Sequence, residues 1–499
     1  MKFKKYFTRY LQGGILSHHG RTYCAYLLVE FEKSDENLPS QISLINELGE
    51  IATSQFKQSE EKVKYMKSKK DDNFKYVEDC FFSIGLTVNG FLKLEIDESI
   101  WPNDRYWKSG LSNTSSEMNL YGLYDEEEGY SSKDYVFSSE VDLVLTIAHS
   151  NIESVKSKIK EITELKNFIG SVKSLEPYAI DGDSVNENVK SKIIFGSKLN
   201  YQGECLGPLG FSDGRSNPQS ISDKIDVALF EEKESFVRID EGGVSVRPTL
   251  YGSFGVFMKI LVFPKVFNHE MKIIQEQHKN NTNENIPINK VEAMYMGRFK
   301  DGTPVVNSGT PQTEMGYSID GEDIPFDYKG DRGVACPYHA HVRRMNPRND
   351  LSNGYLEVMI RRGMNLYDDD KKEFQGLCFH SFQKKTKTFV KTMSRMNDKN
   401  TDEFDALLYP HRRSVEEINK NTFTFPASHQ GEHDMDGIRP LGNRVTKILG
   451  GAFLYYPSIE FMKQLSLENY NRGITFGGEG SWWRFFYSIT NLFHRIVKK

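Results

Sequence analysis

The sequence is short of cysteine in any paired arrangement. Five thiols, Cys24, Cys80, Cys205, Cys336 and Cys378, are scattered over 499 residues, odd in number and without CxxC spacing. That spacing excludes a disulfide framework and a four-thiolate zinc site, and it suits a reducing compartment. An excess of positive charge is also missing: 64 Lys and Arg against 69 Asp and Glu leave a net charge of −5, which gives no global field to gather nucleic acid. Long apolar runs are absent too. The basic start "MKFKKYFTRYLQGG" carries no signal-peptide core, and no window approaches the length that spans a bilayer. The expectation is a cytoplasmic protein, with small uncharged or mixed substrates left open.

What is present is enough apolar material, 38% hydrophobic and 12% aromatic, for sizeable cores, and enough length for two domains. Strand-like and helix-like patterns alternate in two comparable halves. "GRTYCAYLLVEFEK" is β-rich, "NLPSQISLINELGEIATSQFKQ" has apolar positions at three- and four-residue spacing, and "VDLVLTIAHS" precedes the helical "IESVKSKIKEITELKNF". The rhythm returns with "YGSFGVFMKILVF", a helix from Pro264 to about His278, "YLEVMIRRG", "GLCFHSFQ", a helix near "KTFVKTMSRM", and "GAFLYYPSIEFMKQL". No Gly-rich nucleotide loop follows a strand, so the pattern reads as α+β layers rather than a doubly wound parallel sheet. A polar insert from about Pro102 to Lys133 reads as a solvated loop.

Two loops carry chemistry. "CPYHAHVRRMNPR", Cys336 to Arg348, offers three readings: an anion-binding loop through Arg343, Arg344 and Arg348; a divalent-metal site on Cys336, His339 and His341; or an imidazole ligand for a haem iron with arginines for the propionates. The metal reading lacks an obvious fourth ligand. "VMIRRGMNLYD" delivers Arg361 and Arg362 to opposite faces of a strand, because strand side chains alternate.

Together with "GPLGFSDGRSNPQ", these loops make the chain resemble the dye-decolorising peroxidases. The family's GxxDG and following Asn-Pro appear as Gly210, Asp213, Gly214, Asn217 and Pro218. Its Cys-Pro, Ala-His, basic pair and Asn-Pro-Arg appear as Cys336, Pro337, Ala340, His341, Arg343, Arg344, Asn346, Pro347 and Arg348. "LQGGILSHHGR" and "GRFKDGTPVV" are weaker echoes, and the likeness runs from about residue 11 to about residue 466. One departure is that Arg361 leads into "RGMNLYD" without the Pro-Tyr-Gly common in the family.

The resemblance implies two ferredoxin-like α+β domains, with haem held mainly by the second. The expected division is residues 1–235, residues 236–473, and an amphipathic tail from 474 to 499 that docks to a membrane surface, to a partner protein, or onto the chain itself. It also implies a haem b peroxidase that reduces hydrogen peroxide through a ferryl intermediate, oxidises small dye-like or phenolic one-electron donors, and works best at acidic pH. His341 is then the iron ligand. Asp213 is the acid–base group, and Arg361 stabilises the charge on the separating oxygens. Gly210, Phe211, Gly214, Arg343 and Arg348 would hold the cofactor. A non-catalytic haem-binding or haem-handling protein on the same fold and the Cys/His metal protein are the alternatives.

Overall fold

The computed structural model describes residues 7–32, 35–71, 74–115, 117–118, 141–173, 193–199, 206–212, 221–232, 238–239, 245–246, 250–312, 326–331, 333–348, 358–368, 373–398, 403–405, 407–408 and 445–465. Asp213, Gly214, Asn217 and Pro218 of the sequence motif lie outside the described residues, as does the tail from 474.

Each half of the chain follows the order β-α-β-β-α-β. In the first half, β1 (Tyr23–Val29) leads to α1 (Leu38–Ile51) and α2 (Gln55–Ser68), then to β2 (Phe81–Leu86) and α3 (Arg105–Thr114). β3 (Leu143–His149), α4 (Ile152–Thr163) and β4 (Ile193–Ser197) complete it. In the second half, β5 (Tyr251–Val262) is followed by α5 (Pro264–Thr282), α6 (Ile288–Met296) and the short α7 (His341–Met345). Then come β6 (Ile360–Arg361), β7 (Met364–Asp368), β8 (Glu373–Gln383), α8 (Lys387–Met396), β9 (Thr446–Tyr456) and α9 (Ile459–Gln464). Both halves have the antiparallel ferredoxin-like strand order, β4-β1-β3-β2 and β7-β8-β5-β9.

The two sheets join edge to edge. β9 meets β2 at Tyr455 and Leu86, and β7 meets β4 at Asn365–Ser197 and Leu366–Gly196, so eight strands close into one antiparallel ring. Closure removes the unpaired strand edges that would otherwise template aggregation. Alternation along each strand then separates two cores. Tyr26, Phe257, Cys378, Phe382, Leu454 and Tyr456 share the inner one, while Phe254, Val256, Met258 and Ile260 belong to the outer core under the helices. Gln12 pins the N-terminal segment to both halves: its amide donates to the carbonyls of Ile84 and Pro457, and its side-chain oxygen accepts from Ile84 N–H.

The polar insert departs from expectation. Residues 105–114 form α3, capped by Asp104, whose carboxylate accepts from Trp107 N–H at 2.9 Å and also from Thr386 N–H at 2.8 Å. Trp107 is fully buried against Phe91, Phe254 and Tyr455. The composition misled because one buried indole and Leu111 anchor a segment that is otherwise polar, and a large aromatic contributes more apolar burial than its neighbours' polarity removes. The single helical stretch expected before residue 58 divides at Ala52–Ser54 into α1 and α2, the second capped by Ser54.

Candidate active site

A cavity of about 290 Å³ lies between the outer face of the second sheet and the helices over it. Met258, Ile260 and Val262 of β5, Leu377 and Phe379 of β8, and Ile448 of β9 form its apolar floor. Phe389 and Met393 from α8 and Met296 from α6 add apolar wall. Polar groups enter at a few points only, which is the usual construction of a cofactor pocket.

His341 is one of those points. The loop before it is folded around Asp331, whose carboxylate accepts from Ala335 N–H at 2.9 Å, Cys336 N–H at 3.0 Å and Arg343 Nη1 at 2.8 Å. The Arg343 guanidinium also donates to the carbonyls of Asp331 and Cys336, and it sits 4.5 Å from the Tyr328 ring and 4.3 Å from the Tyr338 ring. Arg343 is therefore engaged inside its own loop and does not line the cavity, contrary to its expected contact with the cofactor. An arginine with this many local acceptors shapes the loop that carries the histidine. Arg344 and Arg395 exchange bonds to each other's backbone carbonyls, which docks α7 on α8.

The His341 ring is oriented from behind. Its Nδ1 lies 2.6 Å from Oδ2 of Asp405, a fully buried carboxylate whose other oxygen accepts from the N–H groups of Leu407 and Leu408. An ionised acceptor here fixes Nδ1 as the donor, so Nε2 carries the lone pair available to a metal, and it makes the ring more electron-rich. Sequence reasoning left this acceptor unidentified. Asp405 sits in a stretch whose motifs carried no signal, 64 residues away from its partner.

Arg348 and Arg298 also line the cavity, and both guanidiniums lie over one ring, Phe326, at 3.7 Å and 4.7 Å from its centroid. Arg348 holds a left-handed backbone, φ 51°. Arg298 belongs to the "GRFKDGTPVV" segment, whose sequence carries no signal for a cavity-lining arginine. Its Nη1 donates to Gly302 O at 2.7 Å.

Arg361 lines the cavity from β6, which pairs with β8 through Arg361–Ser381. Arg362 is directed elsewhere, with Nε donating to Gly14 O at 3.1 Å and Nη2 to Ile15 O at 3.4 Å. Burial lowers its pKa to about 10. The loop Gly207–Ser212 supplies the remaining wall. Gly210 adopts φ 79°, which a residue with a Cβ would resist, and this turn delivers Phe211 to the cavity although Gly210 does not itself line it. His339, the near rival of His341, is buried and outside the cavity lining. Among the described residues, no group of three or more His, Cys, Asp or Glu side chains is arranged to hold a metal ion, so the Cys336–His339–His341 site is not formed.

Residues 207–415 match the family model described as Dyp-type peroxidase, C-terminal. A multifunctional dye peroxidase, DyP2, from Amycolatopsis sp. is 22% identical over 341 residues, 60% of this chain. The chain spans 64% of that relative's length. Among solved structures, a DyP-type peroxidase of Anabaena sp. superposes with a TM-score of 0.68 at 22% identity, over 93% of this chain and 95% of that one. A fungal DyP-type peroxidase from Auricularia auricula-judae gives 0.63 at 14% identity, over 92% and 99%. Residues 207–415 thus resemble the C-terminal part of the DyP-type peroxidases in sequence, and nearly the whole chain shares the fold of their solved structures.

Proposed function

We infer that the protein is a haem b peroxidase that reduces hydrogen peroxide and oxidises small dye-like or phenolic donors. The observation that carries this reading is the convergence of the Asp405-backed His341 and of Arg361 on one apolar cavity. The residues fit a haem: one imidazole with its second nitrogen already tied, apolar walls for the macrocycle, and the guanidinium of Arg348 for a propionate. The sequence has no CxxCH attachment motif, which favours a non-covalent haem b. When bound, haem supplies an iron that takes up the two oxidising equivalents of peroxide and passes them to donors one at a time.

His341 would hold the iron through Nε2, with Asp405 keeping the ring electron-rich. Arg361 would stabilise the negative charge that develops on the peroxide oxygens as they separate, in a site where little water screens it. Asp213 would serve as the acid–base group that takes a proton from one peroxide oxygen and delivers it to the other. Beside the Arg361 charge that carboxylate would stay ionised to lower pH, which favours activity under acidic conditions. Phe211 would cover the macrocycle, with Gly210 and Gly214 allowing the loop to approach it.

Four described cysteines are free thiols, which supports a reducing, cytoplasmic setting. Among the described residues no helix is long and apolar enough to cross a membrane. The tail from Trp482 would serve association with a membrane surface or partner, so truncation after Gly480 should leave peroxide turnover intact and lower binding to vesicles or partners.

An absorption spectrum tests the cofactor reading. The purified protein should show a Soret band that His341→Ala loses and His339→Ala keeps. A full Soret band with full activity in His341→Ala would refute the assignment. Haem binding without any peroxide turnover would favour the non-catalytic haem-handling alternative.

A further inference from the structure

Behind the cavity, on the inner face of the closed sheet, is a hydrogen-bonded pair that the site chemistry above does not use. Tyr456 Oη lies 2.8 Å from His380 Nε2. Tyr456 is fully buried and His380 is 4% exposed. The slot is built for the phenol: a Cβ on Gly85 would come within 2.7 Å of Tyr456 Cζ, and one on Gly255 within 2.6 Å of its Cε2, so both neighbouring strands carry glycine where the ring lies. Phe382 stands 4.9 Å from the Tyr456 ring and 4.6 Å from the His380 ring.

The pair is one strand away from the cavity. His380 follows Phe379, which lines the cavity from the opposite face of β8. The carbonyl of His380 accepts from Arg362 N–H at 2.6 Å, and the preceding Arg361 lines the cavity. Among the described residues both side chains are closed off from water, which does not suit direct contact of a donor molecule with Tyr456.

We propose that Tyr456 and His380 form a proton-coupled redox pair that transiently stores an oxidising equivalent generated in the cavity. This rests on the haem peroxidase reading, which supplies the oxidant, a peroxide-oxidised haem. In the forward step Tyr456 gives one electron to that oxidant and its phenolic proton to His380 Nε2. The O–H bond breaks and an N–H bond forms. Tyr456 becomes a neutral phenoxyl radical, His380 becomes an imidazolium, and the oxidant is reduced by one electron. Re-reduction from the cavity returns the electron to Tyr456 and the proton from His380, which resets the pair.

The environment suits a store rather than a sink. Burial first, and then the Arg362 charge, push His380 down to about 3, so the ring is neutral at rest and its nitrogen can accept a proton. Burial also pushes the Tyr456 phenol well above its ordinary range, so it does not ionise before it is oxidised. A weakly basic acceptor keeps the tyrosine couple at high potential, because the imidazolium is formed at a cost. Charge placed there returns readily to the cavity.

The test is rapid-freeze EPR of the haem-loaded protein mixed with one equivalent of hydrogen peroxide. Wild type should show a neutral tyrosyl radical. Tyr456→Phe keeps the ring in its slot and should lower that signal at least fivefold with the Soret band retained. His380→Gln, which can accept a hydrogen bond but cannot take the proton, should lower it comparably. A tyrosyl signal of unchanged amplitude in Tyr456→Phe overturns the proposal, as does no tyrosyl signal in wild type that consumes peroxide. If wild type does not react with peroxide, the peroxidase reading fails, and flash oxidation of the same protein by a ruthenium(III) polypyridyl complex decides the pair alone. A radical lost in Tyr456→Phe and in His380→Gln supports it there, and no difference between wild type and the variants overturns it.

Discussion

Asp405 Oδ2 and His341 Nδ1 are 2.6 Å apart, and Asp405 is wholly buried while His341 opens onto the cavity. The carboxylate thus orients the proposed iron ligand without itself lining the cavity. Asp405→Asn keeps the shape and an acceptor oxygen but removes the charge. The variant should retain its Soret band, show a raised iron reduction potential, and react with peroxide about 10–100-fold more slowly. A spectroelectrochemical titration checks this, and an unchanged potential would show that Asp405 merely fills space.

Arg361 and Arg362 are adjacent in sequence and point apart, the first lining the cavity and the second bonded to the carbonyls of Gly14 and Ile15. Arg361→Leu should slow the peroxide step by about 10²–10³-fold, the usual loss when a developing charge is left without its donor in a dry site. Arg362→Leu should leave that step nearly intact and lower the melting temperature instead, because it strips donors from the carbonyls of Gly14 and Ile15. Stopped-flow rates with thermal melts on both variants separate the effects. A fast Arg361→Leu beside a crippled Arg362→Leu would reverse the assignment.

Arg343 is 2% exposed at its side chain and paired with Asp331, so Arg343→Ala leaves a largely buried carboxylate without its cation. The expected loss is about 3–5 kcal/mol of stability, with haem retention falling because the loop carrying His341 loosens. Urea unfolding of wild type and variant measures the first, and the Soret-to-protein absorbance ratio measures the second. Equal stability of the two proteins would remove the loop-shaping role.

Stability should fall in acid. His380 is held neutral, with its pKa lowered from 6.5 to about 3 by burial and then by Arg362, so the unfolded chain binds a proton that the folded one refuses. The contribution is complete above pH 6.5 and is lost progressively as pH falls from there towards 3. His380→Gln should therefore show a shallower decline in urea midpoint between pH 7 and pH 4 than wild type. A parallel decline in both proteins would mean that the ring is not kept neutral by the fold.

Local features of the chain were legible because their physics is local. Apolar β-rich stretches marked β1, β3, β5 and β8, the helical spacing marked α4 and α8, and the resemblance carried by the run from Cys336 to Arg348 singled out His341 as the candidate ligand. Adjacent strand positions face opposite ways, so Arg361 and Arg362 were expected on opposite faces, while which of the two lines the cavity is a matter of tertiary structure. What tertiary structure decided were the meetings of residues remote in sequence. Asp405 reaches His341 across 64 positions, Tyr456 reaches His380 across 76, and Asp104 caps α3 while binding Thr386 282 positions away. Arg343, read from its motif as a cofactor contact, is turned inward by Asp331 and two tyrosines, since a buried guanidinium goes where acceptors and ring faces surround it. Spacing along the chain says nothing about such partners, because they meet through packing within the second half and, for Asp104 and Thr386, through contact between the halves, and both are properties of the whole fold.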